Sequence, residues 1–220
     1  MSERLVVAVP KGALYDDAVA RLRGAGIEVP DDPGRKLSVV TRDGSEILFL
    51  RPSDVPAYVE FGAADCGIVG KDTLWETDRH VCELADLEFG ACRLVVAARS
   101  ADRYHEGVPL PTFLRVATKF VRTAETYFAE RDLPAQLIKL HGSVELSPLV
   151  GLADLIVDLV ATGTTLRENH LVVLEEIDRS TARFVVNPVR FRAKYRALMD
   201  LLRRLDPEHA FSGLTFEARS

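Results

Sequence analysis

The stretch from Leu155 to Leu166, LIVDLVATGTTL, constrains this chain more than any other. It begins with branched apolar residues that predict a buried β-strand, interrupted only by Asp158. The strand runs into a turn of small residues around Gly163, and a helical pattern follows. Backbone N–H groups at such a turn bind anions, and a glycine lets the backbone approach a ligand closely. The pattern therefore predicts a phosphate-binding loop.

The acid inside this strand, Asp158, limits which kinds of ligand the loop can bind. A carboxylate repels a phosphate, but it accepts hydrogen bonds from sugar hydroxyls a short distance away. Asp158 and the threonines together therefore indicate a site for a ribose 5-phosphate. The alternative, from these residues alone, is a strand with a stray acid and a turn in which Thr165 caps a helix.

Composition sets the wider limits. With 220 residues, 47% of them hydrophobic, the chain is long enough for one large domain or two small ones. A net charge of −5 argues against general attraction to nucleic acid. Cys66, Cys82 and Cys92 lack the spacing of a zinc site or a disulfide framework, so we expect reduced thiols. The short apolar segment near the N-terminus favours a cytoplasmic protein over a secreted one.

Strand patterns alternate with helical patterns along the chain, which predicts α/β architecture with parallel or mixed sheets. Two such blocks are expected, residues 1–94 and 95–181. Residues 182–220 are expected to return to the first block, giving two lobes joined by two crossing segments with a cleft between them. Within this scheme we predict helices over 143–152 and 188–205, and a short apolar piece over 213–216.

Polar residues also follow the strands predicted in the first block. Lys11 comes after the first strand, Arg51 follows another, and Asp72 follows a third. Open α/β sheets bind ligands at the carboxyl ends of their strands. For Lys11 the alternative is a solvated lysine in a turn.

With these residues considered, the chain resembles ATP phosphoribosyltransferase over nearly its whole length. The resemblance is carried by the following motifs: VAVPKGALYDDA, FLRPSDVPAYVEFGAADCGIVGKDTL, DLEFGACRLVVA, VATKFVRTAETYF, HGSVELSPLVGLADLIVDLVATGTTLRENHL and STARFVVN. The most specific part is the DLVxTGxTLRxN loop with GLAD before it and GSVE further upstream.

The resemblance implies a two-lobed fold like that of periplasmic binding proteins. It also implies that N1 of ATP attacks phosphoribosyl pyrophosphate, giving phosphoribosyl-ATP and pyrophosphate in the first step of histidine biosynthesis, and that Mg²⁺ is required. Lys11 and Arg51 are then expected to act on the departing pyrophosphate, and Asp72 to contact nucleotide. Glu145, at the start of a predicted helix in the second block, is also expected to contact nucleotide, from a position where it can orient substrate hydroxyls or magnesium. For Glu145 a partner of the helix dipole is an equally good interpretation. The residues expected to bind phosphoribosyl pyrophosphate are Asp158, Ala161, Thr162, Gly163, Thr164 and Thr165.

The resemblance is to the short form of the family, because the chain ends soon after the helix predicted over 188–205. It implies a regulatory subunit similar to histidyl-tRNA synthetase and a homodimer within a hetero-octamer. No metal ligand is assigned. Three positions depart from the family pattern: Ala13 stands where arginine is frequent, Thr164 where asparagine or arginine is, and His170 where glycine is. We expect His170 to face outward.

Two other functions fit parts of the pattern. A two-lobed sensor could use the same threonine-rich loop to hold a phosphorylated metabolite without chemistry. A phosphoribosyltransferase for a free base would carry paired acids before the threonines, whereas here Val157 precedes Asp158.

Overall fold

The computed structural model describes residues 4–30 and 34–207, so the apolar piece predicted over 213–216 lies outside the described residues. The described strands are β1 (Val6–Pro10), β2 (Ser38–Val40), β3 (Glu46–Leu50), β4 (Cys66–Gly70), β5 (Cys82–Asp86), β6 (Cys92–Arg99), β7 (Leu114–Thr118), β8 (Ala135–Lys139), β9 (Leu155–Val160), β10 (Leu171–Ser180) and β11 (Ala182–Val186). The described α-helices are α1 (Tyr15–Gly24), α2 (Val55–Glu60), α3 (Lys71–Thr77), α4 (Val121–Ala129), α5 (Leu146–Leu149), α6 (Thr164–Glu168), α7 (Pro188–Ala193) and α8 (Tyr195–Leu205).

The first sheet has the strand order β2-β3-β1-β4-β11-β5. Strands β3, β1 and β4 run parallel, so their carboxyl ends lie at one edge of the sheet. Strand β2 is antiparallel to β3, and β11 is antiparallel to both β4 and β5. The sheet is therefore mixed, and the chain after residue 181 supplies one of its inner strands.

The second sheet has the order β10-β6-β9-β7-β8. Strands β9, β7 and β8 are parallel, whereas β6 is antiparallel to β9 and β10 is antiparallel to β6. The carboxyl ends of the three parallel strands again meet at one edge. This edge carries the predicted phosphate-binding loop, which follows β9.

The described residues up to Gly90, together with those from Thr181 onward, form one compact unit, and Ala91–Ser180 form the other. The whole of β6 belongs to the second unit, so the boundary expected after residue 94 falls inside a strand. Each unit buries its own apolar side chains against its own sheet.

Burial follows the sequence pattern closely in two elements. Five of the six residues of β9 are buried, which is why it appears in the sequence as an almost continuous apolar run. Helix α8 instead buries one stripe, because its leucines recur at helical spacing. The buried residues of that stripe are Leu198, Met199, Leu201, Leu202 and Leu205.

Two predicted helices differ from the structure. The single helix expected over 188–205 is broken at Lys194, whose ammonium group bonds the buried carboxylate of Asp65 at 2.8 Å and the carbonyl of Arg4. The helix expected over 143–152 is only α5, and Glu145 sits just before it. Ser143, which precedes α5, has a left-handed backbone (φ 51°), and hydrophobic periodicity does not reveal such a residue.

In the part of the chain that the structure describes, no helix is long and apolar enough to cross a bilayer.

Candidate functional site

The carboxyl ends of β7 and β9 bring two charged side chains together. Thr118 pairs with Val157 across these parallel strands, so the residues that follow them, Lys119 and Asp158, are neighbours. The Lys119 Nζ atom lies 3.8 Å from Oδ1 of Asp158. Asp158 was predicted from the sequence and Lys119 was not, although the lysine lies in the motif VATKF directly after β7.

Asp158 is unusual because it is an acid inside a buried strand. It is only 9% exposed, and its Oδ1 accepts a 2.8 Å hydrogen bond from the N–H of Leu159. Burial raises the pKa of Asp158 above its ordinary value, and the charge of Glu145 acts in the same direction. The ammonium of Lys119 and the Leu159 N–H oppose this shift.

The segment from Asp158 to Thr165, here called the Asp158 loop, keeps most of its polar groups at the surface. Gly163 adopts φ 75°, a left-handed conformation that favours glycine, and α6 begins at the next residue. The hydroxyls of Thr162 and Thr164 lie 3.2 Å apart and bond each other. Arg167 donates to the carbonyl of Thr162 at 3.3 Å and to the hydroxyl of Thr164 at 3.1 Å.

An open pocket of about 130 Å³ lies against this loop. Most of the residues predicted to bind phosphoribosyl pyrophosphate line it, and Glu145 joins them. Thr164 does not line the pocket, because its side chain turns toward Arg167. The lining residues are Glu145, Asp158, Leu159, Val160, Ala161, Thr162, Gly163, Thr165 and Leu166.

The end of α6 explains one departure from the family pattern. His170 is exposed, as expected, and has φ 54°, a left-handed backbone conformation that a glycine adopts without strain. Its N–H donates to the carbonyl of Arg167, and its own carbonyl accepts from Ser100. A glycine at this position therefore serves the backbone, and the histidine here pays a conformational cost.

The other predicted residues lie in the first unit, at one edge of its sheet. Lys11 follows β1 and donates its backbone N–H to Leu50 at 2.7 Å, so Lys11 and Arg51 follow paired strands. Asp72 is in the first turn of α3, which begins directly after β4. The side chain of Arg51 is exposed, and those of Lys11 and Asp72 are half-buried. Ala13, where an arginine is frequent in the family, is exposed in the turn after β1.

The acid of the motif GLAD has a structural role. Asp154 accepts the backbone N–H and the Nε of Arg115 on one oxygen, at 2.9 and 3.2 Å, and the Nη2 of Arg115 on the other at 2.9 Å. These bonds lower the pKa of Asp154 and tie the start of β9 to β7. The motif therefore positions the strand that carries Asp158.

The described side chains were also compared with the ligand sets that bind metal ions in proteins. Residues 4–30 and 34–207 contain no group of three or more histidine, cysteine or acidic side chains that could hold a metal ion. A magnesium ion coordinated mainly by substrate phosphates needs only one or two protein carboxylates. The acids of the described chain suit that mode and not a cage made of protein ligands alone.

These features define a class of protein: an α/β chain of two mixed sheets in which a buried acid lies beside a threonine- and glycine-rich loop that lines an open pocket. A sequence model described as HisG, ATP phosphoribosyltransferase, matches residues 51–207. The chain belongs to the ATP phosphoribosyltransferase family. It is therefore a transferase of the glycosyltransferase class that acts in the first step of histidine biosynthesis.

Named relatives agree with this assignment. The chain is 51% identical over 201 residues to the ATP phosphoribosyltransferase of Rubrobacter xylanophilus, covering 90% of this chain and 93% of the relative. It is 50% identical over 209 residues to that of Moorella thermoacetica, covering 91% of each.

Solved structures give the fold. A chain of the ATP phosphoribosyl transferase (HisG:HisZ) complex from Thermotoga maritima matches with a TM-score of 0.80 and 34% identity, covering 92% of this chain and 96% of that one. The alkanesulfonate-binding protein SsuA from Xanthomonas axonopodis matches with a TM-score of 0.56 at 10% identity, over 92% of this chain and 71% of that one. This second match shows only that the fold is shared with periplasmic-type binding proteins.

Proposed function

We propose that this enzyme joins N1 of the adenine of ATP to the anomeric carbon of phosphoribosyl pyrophosphate, with its second unit binding the phosphoribosyl half. The observation that carries the assignment of the site is Asp158. It is a buried acid within β9, two residues before the strand ends at a loop of exposed hydroxyls, and its carboxylate retains capacity to accept hydrogen bonds. Such a group suits neutral hydroxyl donors beside a phosphate.

The Asp158 loop then divides the ligand between its two ends. The Asp158 carboxylate accepts hydrogen bonds from the ribose hydroxyls and holds the ring in place. The backbone and hydroxyl donors of the segment from Ala161 to Thr165 bind the 5-phosphate. Thr164 is the least available of these donors, since its hydroxyl bonds Arg167 and its N–H donates to the hydroxyl of Thr162 at 3.4 Å. Binding energy from the phosphate, which does not react, thereby positions the anomeric carbon.

Residues of the first unit act on the other groups. Lys11 and Arg51 follow adjacent parallel strands, and their positive charges suit the pyrophosphate that leaves. Asp72 and Glu145 contact nucleotide, although Glu145 belongs to the second unit and lines the same pocket as Asp158.

Displacement at the anomeric carbon passes through an oxocarbenium-like state, so stabilising the leaving group matters more than activating the nucleophile. Adenine N1 carries no proton at neutral pH, and no general base is required. The reaction therefore needs orientation of ribose, fixed positive charge at the pyrophosphate, and exclusion of water, all of which side chains can supply.

We propose Mg²⁺ as the cofactor. It would be held mainly by phosphate oxygens, because the described residues offer no cluster of three or more candidate ligands. When bound, it neutralises charge on the departing pyrophosphate.

We further propose that the chain is a catalytic subunit that works with a regulatory partner similar to histidyl-tRNA synthetase, as a homodimer within a hetero-octamer in the cytoplasm. The match to a chain of the Thermotoga maritima HisG:HisZ complex supports this, since it covers nearly all of both chains.

The reaction is tested by mixing the purified chain with ATP, phosphoribosyl pyrophosphate and Mg²⁺, with and without the regulatory partner of the same organism, and measuring pyrophosphate and phosphoribosyl-ATP. We expect turnover with ATP and none with free adenine. A folded protein that binds phosphoribosyl pyrophosphate but releases no pyrophosphate in any mixture would contradict the reaction.

The site is tested with Asp158→Ala and Gly163→Val. Each should lower kcat/KM for phosphoribosyl pyrophosphate by roughly tenfold to a hundredfold, because each removes hydrogen bonds or the left-handed turn. ATP affinity, measured by calorimetry, should change by less than about threefold. Asp178→Ala is the matched control, since Asp178 is an exposed acid of the same unit. Equal losses of both ligands in folded variants would reject the assignment.

A further inference from the structure

Lys119 occupies a position that the function described above leaves unused. Its ammonium group lies 3.8 Å from Oδ1 of Asp158, and 4.8 Å from the centre of the Phe120 ring. The Lys119 side chain is 45% exposed, whereas that of Asp158 is 12% exposed. The lysine therefore stands between solvent and a buried acid, and the aromatic face beneath it favours a cation there.

The surroundings of Asp158 make this neighbour important. Burial disfavours the carboxylate, and the negative charge of Glu145 disfavours it further. Strand β6 pairs with β9 on its other side and places the apolar Val95 opposite Asp158. The groups that favour the ionised form are the Leu159 N–H, a neutral donor, and Lys119, the one cation in an ion pair with Asp158 among the described residues.

The ionisation state of Asp158 decides what it can bind. An ionised carboxylate only accepts hydrogen bonds, so it can take several from ribose hydroxyls. A protonated one donates from one oxygen and loses the stronger charge-assisted bonds. Whatever keeps Asp158 ionised therefore sets how well the enzyme holds the ribose ring at working pH.

We propose that Lys119 is a positioning residue that keeps the carboxylate of Asp158 ionised and oriented toward the ribose hydroxyls of phosphoribosyl pyrophosphate. Lys119 acts through Asp158 and does not itself hold the substrate. This role rests on the proposed function of Asp158 as the ribose ligand, and it adds a pH range over which that ligand works.

The kinetic test compares Lys119→Met with the wild type from pH 5.5 to pH 9, under conditions where the complete enzyme turns over. An opposite charge within about 4–6 Å lowers the pKa of an aspartate by 1 to 3 units. We therefore expect the acidic limb of kcat/KM for phosphoribosyl pyrophosphate to move upward by about one pH unit in the variant. Low-pH values fall about tenfold, and high-pH values stay within about threefold of the wild type.

Two further variants separate charge from shape. Lys119→Arg keeps a cation on a side chain of similar length and should restore the wild-type limb to within about threefold at every pH. Lys139→Met is the matched control, since Lys139 is exposed at the end of β8, in register with Thr118. It should leave the limb unchanged.

The ionisation of Asp158 can also be measured directly. The side-chain carboxyl of Asp158 can be followed by ¹³C NMR in protein labelled at aspartate, and its resonance is identified by its loss in Asp158→Asn. In Lys119→Met its midpoint should move upward by about one pH unit. The same loss of kcat/KM at every pH, or an unmoved midpoint, would overturn the proposal.

Asp158→Asn also separates the role of Asp158 from the role of Lys119. If this variant uses phosphoribosyl pyrophosphate as well as the wild type does, the proposed function of Asp158 fails. If it is impaired and Lys119→Met keeps a normal acidic limb, only the role of Lys119 fails. With both correct, adding Lys119→Met to Asp158→Asn should change the pH profile by less than about twofold.

Discussion

Two regions of this protein each bury an aspartate, and the hydrogen bonding of the two side chains differs. One is the anchor, formed by Asp65, Asn187 and Lys194 in the first unit. The other is the Asp158 loop in the second. Asp65 is 2% exposed and Asp158 is 9% exposed, so burial alone does not separate them.

The partners of the two acids separate them. In the anchor, one oxygen of Asp65 accepts the N–H of Val6 and the ammonium of Lys194, both at 2.8 Å, and Arg190 lies 3.7 Å from the other oxygen. The side-chain amide of Asn187 also has partners for both its oxygen and its nitrogen. The oxygen accepts from two N–H groups at the start of α7, and the nitrogen donates to the carbonyls of residues 59 and 60. The buried polar groups of the anchor are therefore hydrogen-bonded within the fold.

In the Asp158 loop, by contrast, the carboxylate of Asp158 can accept further hydrogen bonds. Asp158 has one backbone donor and a lysine at 3.8 Å, and the threonine hydroxyls bond mainly one another at the surface. A buried acid whose hydrogen bonds are satisfied holds elements together, whereas one with free acceptor capacity beside a pocket can bind a ligand. The two regions therefore predict different outcomes for similar substitutions.

The largest effect is expected for Asp65→Ala. It leaves the N–H of Val6 without its acceptor and the ammonium of Lys194 with only the carbonyl of Arg4, and breaking a buried ion pair costs about 3–5 kcal/mol. Urea unfolding should show this loss in the free energy of unfolding. Asp200→Ala, at an exposed acid of α8, should stay within about 0.5 kcal/mol. A loss below about 1 kcal/mol for Asp65→Ala would remove the distinction between the regions.

Asn187→Ala comes next, with an expected loss of about 2 kcal/mol, because it removes a helix cap and strands two carbonyl acceptors. Asn169→Ala in the second unit is its counterpart, since Asn169 donates only to the carbonyl of Thr165 at the end of α6. We expect less than about 0.5 kcal/mol there. Comparable losses at both positions, measured by urea unfolding, would mean that the region near the loop is equally structural.

His170→Gly should raise the free energy of unfolding by about 1 kcal/mol, because the left-handed conformation at φ 54° costs a histidine about that much. His141→Gly is the control, since His141 does not adopt a left-handed backbone, and it should not stabilise the protein. Thermal unfolding of both variants measures the difference. No gain from His170→Gly would argue that the histidine has contacts that offset its strain.

The smallest effect is the pH dependence of Asp158→Asn. Because the pKa of Asp158 is raised in the folded protein, its ionisation costs stability as pH rises from the ordinary value of 3.8 through the raised pKa. The variant should therefore be at least as stable as the wild type at pH 7.5, with a difference that shrinks as pH falls toward 4. Urea midpoints across that range measure it. A difference that does not change with pH would contradict the raised pKa.

Much of the local structure could be predicted from sequence. The branched apolar run that begins at Leu155 predicts a buried strand, and β9 begins at that residue. The motif around Gly163 predicted a loop at a strand end, and the structure has the glycine in the left-handed conformation that such a loop requires.

Other features depended on contacts between distant segments. Lys194, where the helix is broken, bonds Asp65, which is 129 positions away in the chain. The pairing of Lys119 with Asp158 depends on the register between β7 and β9. Neither distance nor register is encoded in a local hydrophobic period, so neither could be predicted from one sequence.

The sequence by itself determined the α/β class, the family, and the acid and threonines of the Asp158 loop, because residue type and spacing carry that information. Only the tertiary structure decided which buried aspartate is satisfied and which retains acceptor capacity. That outcome depends on where the cations and backbone donors of other strands and helices lie, and sheet pairing sets those positions.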